Sequence, residues 1–249
     1  MANTLRLYAL KAIVTGAADG IGEAIARTFA KHGAEVLAVD SPKSRVATVF
    51  ARVRGITAIE VDEETEDLSG MLLKTARERL DGLDILVNNF PSLADAQPPG
   101  GSDERDLQPW LDQVLAVTAA VLPLLRKSPA GRVINIGALR SSFHRDDDAG
   151  FAAAERALAK VTAAQAAEHG TSGITANYIQ PGAIMTADSR AIFEADKAFR
   201  DWCIQRSAAR RLGDPVDVAK VALFLASDDS VFVSGTGIAV NGGASPNAD

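Results

Sequence analysis

Short runs of β-branched residues alternate with longer helical patterns along the chain, and this alternation limits the fold more than any other feature. The runs are KAIVT, AEVLAVD, ITAIEVD, LDILVN, GRVINIG, GITANYI and TGIAVN, and a helical pattern separates each pair. The helical patterns start near residues 20 and 42 and lie near 67–80, 107–125, 150–169, 187–207 and 214–225. This order is typical of βαβ units, in which helices cover both faces of a parallel sheet. The sequence therefore predicts an α/β fold with a doubly wound parallel sheet and three layers, α/β/α.

Length and composition indicate one domain without a nucleic-acid or membrane partner. The chain has 249 residues, 47% of them hydrophobic, so one sizeable core is expected for the whole of residues 1–249. The net charge is −6 and no run of Lys or Arg occurs, which argues against the positive surface that nucleic acids or anionic membranes require. The longest apolar stretch, VLAVTAAVLPLL, contains Pro123 and is too short to span a bilayer. We expect a soluble protein.

The cysteine and the histidines favour a reducing compartment and argue against a metal site. Cys203 is the single cysteine, so an internal disulfide is excluded, and the N-terminal MANTLRLYAL lacks the pattern of a signal peptide. We therefore expect a cytoplasmic protein. His32, His144 and His169 lack the spacing of metal ligands, and no metal is predicted.

A glycine-rich segment, TGAADGIG, directly follows the first predicted strand and leads into a helix. Gly16, Gly20 and Gly22 allow the backbone to turn tightly and to approach a pyrophosphate at the helix N-terminus. The same glycines also suit a tight turn that holds no ligand. The next strand favours a dinucleotide, because it ends at Asp40, 18 residues after Gly22, where a carboxylate accepts hydrogen bonds from ribose hydroxyls.

Two carboxylates favour NAD over NADP as the cofactor. Asp40 would repel the 2′-phosphate that distinguishes NADP. Asp19 adds a second negative charge within the glycine-rich segment, where an NADP site favours Arg or Lys.

Five separated motifs occur in the order of one known family: TGAADGIG, Asp40, DILVNN, NYIQPGAIMT and AVNGG. With these motifs the chain resembles the short-chain dehydrogenase/reductase (SDR) family over nearly its whole length. The resemblance implies a Rossmann-like fold, a nicotinamide dinucleotide and hydride transfer. By the resemblance, the phosphates are bound by Thr15, Gly16, Gly20, Ile21 and Gly22. Asp40 binds the adenosine ribose, Asp62 contacts the adenine, and Asn88 lies behind the cofactor. The nicotinamide end is contacted by Pro181, Gly182 and Thr186. Pro181 and Gly182 also suit a plain turn, although their register with Thr186 favours the family role.

The resemblance also locates four positions of the family's proton transfer. In the family, a Tyr gives the substrate oxygen its proton, a Lys four residues later lowers the pKa of that Tyr, a Ser orients the carbonyl, and an Asn completes a water relay. These positions are Phe151, Glu155, Ala138 and Thr118 in this chain. Phe and Ala exchange no proton, and Glu has the wrong charge to stabilise a phenolate. No catalytic residue of the usual kind is therefore predicted, and losing general acid–base catalysis costs about 10²–10⁴ in rate.

Two further segments depart from the family. NNAG of the family reads NNFP here, so Phe90 and Pro91 replace small residues beside the cofactor. Phe90 either obstructs the cofactor or points into a core that tolerates it. RSSFHRDDDAG brings His144 near Asp146 and Asp148, which form either a new acid–base set or a solvated charged loop.

Three functions fit these observations. The first, which we favour, is a non-catalytic subunit of a hetero-oligomeric dehydrogenase whose partner is an active SDR paralogue. Certain ketoacyl and hydroxyacyl-CoA dehydrogenases resemble this arrangement. The second is an enzyme with altered chemistry, in which Glu155 or His144 is the base, and Glu155 would then be buried with a shifted pKa. The third is a binding module that senses NAD.

The resemblance also implies a homo- or hetero-oligomer, either a dimer or a tetramer. In the family, two long helices form the contacts, and here they lie near 107–125 and 151–169. Both have an alanine-rich face that suits close packing between subunits. The last helix and strand of the family also take part in assembly.

Overall fold

The computed structural model describes residues 5–61, 67–90, 107–139 and 148–244, with the backbone alone for Asp148. The strands in these ranges are β1 Lys11–Thr15, β2 Glu35–Asp40, β3 Ile56–Glu60, β4 Ile85–Asn88, β5 Arg132–Ile136, β6 Thr175–Pro181 and β7 Gly237–Val240. They form one sheet in the order β3-β2-β1-β4-β5-β6-β7, and every pair of neighbours is parallel. The order reverses between β1 and β4, which opens a crevice at the carboxyl ends of these strands.

Helices cover both faces of the sheet. The α-helices of the described ranges are α1 Gly20–Lys31, α2 Val46–Phe50, α3 Leu68–Thr75, α4 Gln108–Leu125, α5 Asp148–His169, α6 Ala187–Ala195, α7 Lys197–Arg206 and α8 Pro215–Ala226. One core cluster joins α1, α2 and α8 to one face, and a second joins α3, α4 and α5 to the other. The predicted three-layer α/β/α fold is confirmed.

The central strands are apolar throughout because both of their faces are buried. Ala12, Ile13 and Val14 of β1 have no exposed surface. Ala12 and Val14 belong to the first core cluster and Ile13 to the second, as the alternation of side chains along a strand requires.

Several helices differ in detail from the predicted ones. The pattern near residues 67–80 forms α3 followed by a π-helical turn at Ala76–Leu80, which ends where Asp81 adopts φ 53°. The pattern near residues 187–207 is broken at Asp196, because the Asp196 side chain accepts a hydrogen bond from the Phe199 N–H at 2.8 Å and so begins α7.

Helix α4 is longer than the apolar run recognised in the sequence. It has 18 residues, and within the described ranges it is the one helix with the length and composition to span a membrane. In the fold α4 packs against α3, α5, β4 and β5. Its inner residues Val114, Val117 and Val121 are buried there.

Candidate functional site

A cleft of about 220 Å³ lies at the carboxyl ends of β1, β2, β4 and β5. It is the crevice expected from the reversal of strand order. Half of the cofactor contacts assigned from the sequence line it: Gly16, Asp19, Gly20, Ile21, Asp40 and Thr186. The fold thus brings together residues far apart in the sequence.

The glycine-rich segment is folded so tightly that side chains would not fit. Gly16 and Gly20 have φ of +55° and +49°, in the left-handed region. A Cβ at Gly22 would collide with the carbonyl oxygen of Gly16, and one at Gly20 would lie 2.9 Å from Cγ2 of Thr186. Gly16 and Gly20 also line the cleft beside the start of α1.

Asp40 connects the end of β2 to the glycine-rich segment. Its Oδ2 accepts a hydrogen bond from the Ala18 N–H at 2.8 Å, and its Oδ1 accepts one from the Ser41 N–H at 2.7 Å. These two bonds fix the carboxylate at the cleft, where its remaining lone pairs suit ribose hydroxyls.

The cleft is strongly acidic. Asp19, Asp40 and Asp188 line it, and no Lys or Arg does so among the described lining residues. Partial burial of the carboxyl, with the negative charges of Asp188, Asp40 and Glu23, raises the pKa of Asp19. Sequence reasoning missed Asp188, for which its place two residues after Thr186 was the available signal.

Thr15 and Asn88, at the ends of β1 and β4, lie next to the cleft but do not line it. Thr15 Oγ1 accepts a hydrogen bond from the Asn89 N–H at 2.9 Å. Asn89, which the sequence reasoning did not single out, lines the cleft and donates to the carbonyl of Gly16 at 2.9 Å. The second Asn of the NNFP motif thus holds the glycine-rich segment against β4.

A buried polar network joins β4, β5, α4 and α5. Asn88 donates to Thr118 Oγ1 at 3.0 Å and to Asn135 Oδ1 at 2.8 Å. Asn135 donates to Thr162 Oγ1 and to Gln165 Oε1, each at 2.9 Å, and Gln165 donates to Thr118 Oγ1 at 3.2 Å. All five side chains are buried. The position that the resemblance assigns to the relay Asn is thus held inside this network.

Ala138 and Phe90 line the cleft with little exposure, 9% each. Phe90 also belongs to the core cluster under α3, α4 and α5. Phe90 therefore packs in the core and also lines the cleft. That it obstructs the cofactor stays a prediction. Trp110, which the sequence reasoning missed, is equally buried and lines the cleft as well.

A second cavity, of about 450 Å³, lies between α5, the end of β6, α7 and the residues after β7. Phe151 and Glu155 of α5 line it, and so do Pro181 and Gly182. Pro181 and Gly182 therefore border the second cavity, whereas Thr186 of the same motif lines the cleft.

Glu155 is an ionisable group of the second cavity whose surroundings perturb it. Its Oε2 accepts a hydrogen bond from the Gln180 side chain, and its buried Oε1 has no partner among the described residues. Burial raises the pKa of Glu155 to about 7. Burial and the charge of Glu155 raise the pKa of Tyr178. Oε1 lies 3.4 Å from the Cβ position of Gly137, which lines the cleft, so the carboxyl stands between the two cavities.

Some predicted residues lie outside the described ranges. These are Asp62, Pro91, His144 and Asp146. Asp148 begins α5, but its side chain is not described. Within the described part of the chain, no group of three His, Cys, Asp or Glu side chains could hold a metal ion.

Comparisons with known proteins cover nearly the whole chain. The family model described as enoyl-(acyl carrier protein) reductase matches residues 16–245. Oxidoreductase UcpA of Escherichia coli (strain K12) is 32% identical over an alignment of 258 residues, covering 96% of this chain and 95% of UcpA. The 3-oxoacyl-[acyl-carrier-protein] reductases FabG of Vibrio harveyi and Haemophilus influenzae are 30% and 31% identical, each covering 93% of this chain and 96% of the relative. The chain therefore belongs to the short-chain dehydrogenase/reductase family.

Proposed function

We propose that the chain is an NAD-binding, non-catalytic subunit of a hetero-oligomeric dehydrogenase, whose catalytic subunit is an active member of the same family. The observation that carries the proposal is the pair at the second cavity. By the resemblance, Phe151 and Glu155 occupy the family's Tyr and Lys positions, and Oε1 of the half-buried Glu155 carboxyl has no hydrogen-bond partner among the described residues.

The cleft fits a nicotinamide dinucleotide at its adenosine and phosphate end. The backbone of Gly16 and Gly20 would hold the phosphates, and Asp40 would hold the adenosine ribose. In this family the dinucleotide supplies or accepts a hydride. The acidic lining favours NAD, because a 2′-phosphate would meet the carboxylates of Asp40 and Asp19.

The usual proton transfer lacks its donors. Ala138 offers no hydroxyl, and the hydroxyl of Thr118 is engaged inside the buried network. Phe151 has no ionisable proton. The cofactor-binding half of the site is thus retained without the half that moves a proton.

The relatives suggest the chemistry of the complex. FabG is named for reduction of a 3-oxoacyl group on acyl carrier protein. We infer a ketoacyl or hydroxyacyl thioester as the substrate class of the catalytic partner.

Affinity purification of the tagged chain from its native cells, followed by mass spectrometry, tests the proposal. We expect a stoichiometric second family member that contains a Tyr with a Lys four residues later. Recovery of a homo-oligomer alone would contradict the hetero-oligomeric assignment.

Restoring the family residues tests the loss of proton transfer. The variant Thr118→Asn, Ala138→Ser, Phe151→Tyr, Glu155→Lys should gain NADH-dependent reduction of a 3-oxoacyl thioester that the parent chain lacks, by about 10²-fold or more. The matched control keeps the first three changes and leaves Glu155 in place. Comparable turnover by the unmodified, homogeneous chain would refute the proposal.

One observation favours a second candidate function, an enzyme with altered chemistry. Burial raises the pKa of Glu155 to about 7, which suits a general base at neutral pH. Should the pure chain show any NAD-coupled activity, its rate should rise with pH through about 7 and disappear in Glu155→Gln. An activity that survives this substitution excludes Glu155 as the base.

A further inference from the structure

The cleft at the carboxyl ends of the strands, to which the proposed function assigns the dinucleotide, has described lining charges of one sign only. Asp19 is the N-cap residue of α1, Asp40 ends β2, and Asp188 lies in the first turn of α6. All three line the cleft, and no Lys or Arg does so among the described residues. Each charged part of a bound ligand therefore meets a negative potential.

The three carboxylates act on one another. Partial burial raises the pKa of Asp19, and the negative charges of Asp188, Asp40 and Glu23 raise it further, in that order. The Asp19 side chain makes no capping hydrogen bond to α1, so the helix does not engage its oxygens. A positive charge placed among these carboxylates would be stabilised.

Helix α6 places Asp188 beside the start of α1. Cγ2 of Thr186 lies 2.9 Å from the Cβ position of Gly20, so the starts of the two helices are in contact. A capping box between Thr186 and Ser189 fixes this end of α6, and Asp188 lies within it. Asp19 and Asp188 are both exposed in the free cleft, so a ligand can reach their carboxylates.

The two redox forms of the dinucleotide differ by one charge. NAD⁺ and NADH have the same adenosine, riboses and pyrophosphate, so the repulsion between the phosphates and the carboxylates is common to both. The nicotinamide ring is cationic in NAD⁺ and neutral in NADH. Within a negative cleft, this difference stabilises the NAD⁺ complex relative to the NADH complex.

We propose that the cleft selects the oxidised dinucleotide, NAD⁺, over NADH, and that Asp188 and Asp19 set this preference. Asp40 and the start of α1 would hold the adenosine ribose and the phosphates, which leaves the part of the cleft at α6 for the cationic ring. The inference rests on the proposed dinucleotide binding and goes beyond it, because occupancy of the subunit would follow the ratio of NAD⁺ to NADH.

Calorimetric titration of the full chain with NAD⁺ and with NADH at pH 7.5 tests the proposal. NAD⁺ should bind more tightly by about threefold or more, as expected for one unit charge near carboxylates that solvent partly screens. The preference should shrink at high salt concentration, because mobile ions screen exposed charges.

Charge-removing variants separate the cleft carboxylates from other effects. Asp188→Asn and Asp19→Asn keep the size of the side chain and remove one charge each. Either should bring the dissociation constants of NAD⁺ and NADH closer together, and the double variant should bring them closest. The control Glu35→Gln removes an exposed charge at the opposite end of β2 from Asp40 and should leave their ratio unchanged. Thermal unfolding verifies that the variants are folded.

The possible failures are distinguishable. Equal binding of the two forms, tighter binding of NADH, or an unchanged ratio in the double variant would overturn the preference and leave dinucleotide binding in place. An equal loss of preference in Glu35→Gln would also overturn the assignment, since the net charge of the chain would then set the ratio. Binding of neither form would remove the dinucleotide from the proposed function, and the preference with it.

Discussion

Glu155 makes the stability of the folded chain depend on pH. Burial raises the pKa of this carboxyl to about 7 from an ordinary value of 4.5, so the folded state holds the proton more tightly than the unfolded state. Folding stability therefore falls as pH rises from 4.5 through about 7 and stays lower above that range. The free energy of unfolding falls by at most ~3 kcal/mol over this range.

Glu155→Gln should remove this pH dependence. At pH 8 the variant should be more stable than the parent by roughly 1–3 kcal/mol, because the amide is neutral, and at pH 5 the two should be nearly equal. Urea unfolding at both pH values measures the difference. Glu168→Gln, which changes an exposed carboxyl, is the control. An equal difference at pH 5 and pH 8 would show that Glu155 is not the group responsible.

The acidic cleft should discriminate between the two nicotinamide dinucleotides. We expect NADH to bind at least tenfold more tightly than NADPH, a difference of about 1.4 kcal/mol, because the 2′-phosphate would meet Asp40. Asp40→Ser should reduce the preference for NADH over NADPH. Asp188→Asn, which removes a charge beside Thr186, should raise the affinities for NADH and NADPH equally. Titration monitored by the fluorescence of NADH or NADPH measures the two dissociation constants. Preference for NADPH by the parent chain would contradict the assignment.

Sequence patterns predict the adenosine end of the site better than the opposite end. Gly16, Gly20 and Asp40 were identified because their spacing is tied to one strand, one turn and one helix. Whether Glu155 of an alanine-rich helix faces solvent or a cavity depends on packing against β6, where Gln180 meets it. Trp110 gave no signal, since its approach to the cleft depends on how α4 lies on the sheet.

At the level of elements, the strands were predicted to within about two residues at either end. Parallel strands buried on both faces are continuous apolar runs, which makes them easy to recognise. The helices were less well predicted where a local side-chain contact decides their ends, as at Asp196 before α7. The π-helical turn after α3 also left no mark in the periodicity of the sequence.

The buried network that links α4 and α5 to the sheet should contribute to stability. Thr118 Oγ1 accepts from Asn88 and Gln165 and donates to the carbonyl of Val114 at 2.7 Å. Thr118→Val keeps the shape but leaves the Gln165 amide without this acceptor, which should destabilise the fold by about 1–3 kcal/mol. Chemical unfolding measures the loss of folding free energy. The control Thr48→Val, at an exposed position of α2, should change stability by less than about 0.5 kcal/mol. An unchanged midpoint for Thr118→Val would contradict a stabilising role for these hydrogen bonds.

For the whole molecule, we propose the outer face of α4 and α5 as the surface of assembly, as the resemblance to the family implies. A shallow groove of about 400 Å³ runs between the two helices, with Leu111, Leu115, Ala157 and Val161 among its lining residues. Leu115, in this groove, is 42% exposed. The small alanines of α5 would allow a second pair of helices to approach closely.

Leu115→Glu should therefore dissociate the proposed oligomer. A charge at the centre of a helix–helix contact must be desolvated without a partner, and the loss should exceed about 2 kcal/mol, or roughly 30-fold in affinity. Light scattering coupled to size exclusion should show a smaller particle, and circular dichroism should show that the subunit stays folded. The control Tyr8→Glu introduces the same charge at a side chain that is 73% exposed beside Gly33, before β1. An unchanged particle mass for Leu115→Glu, or equal dissociation by Tyr8→Glu, would show that α4 and α5 do not form the interface.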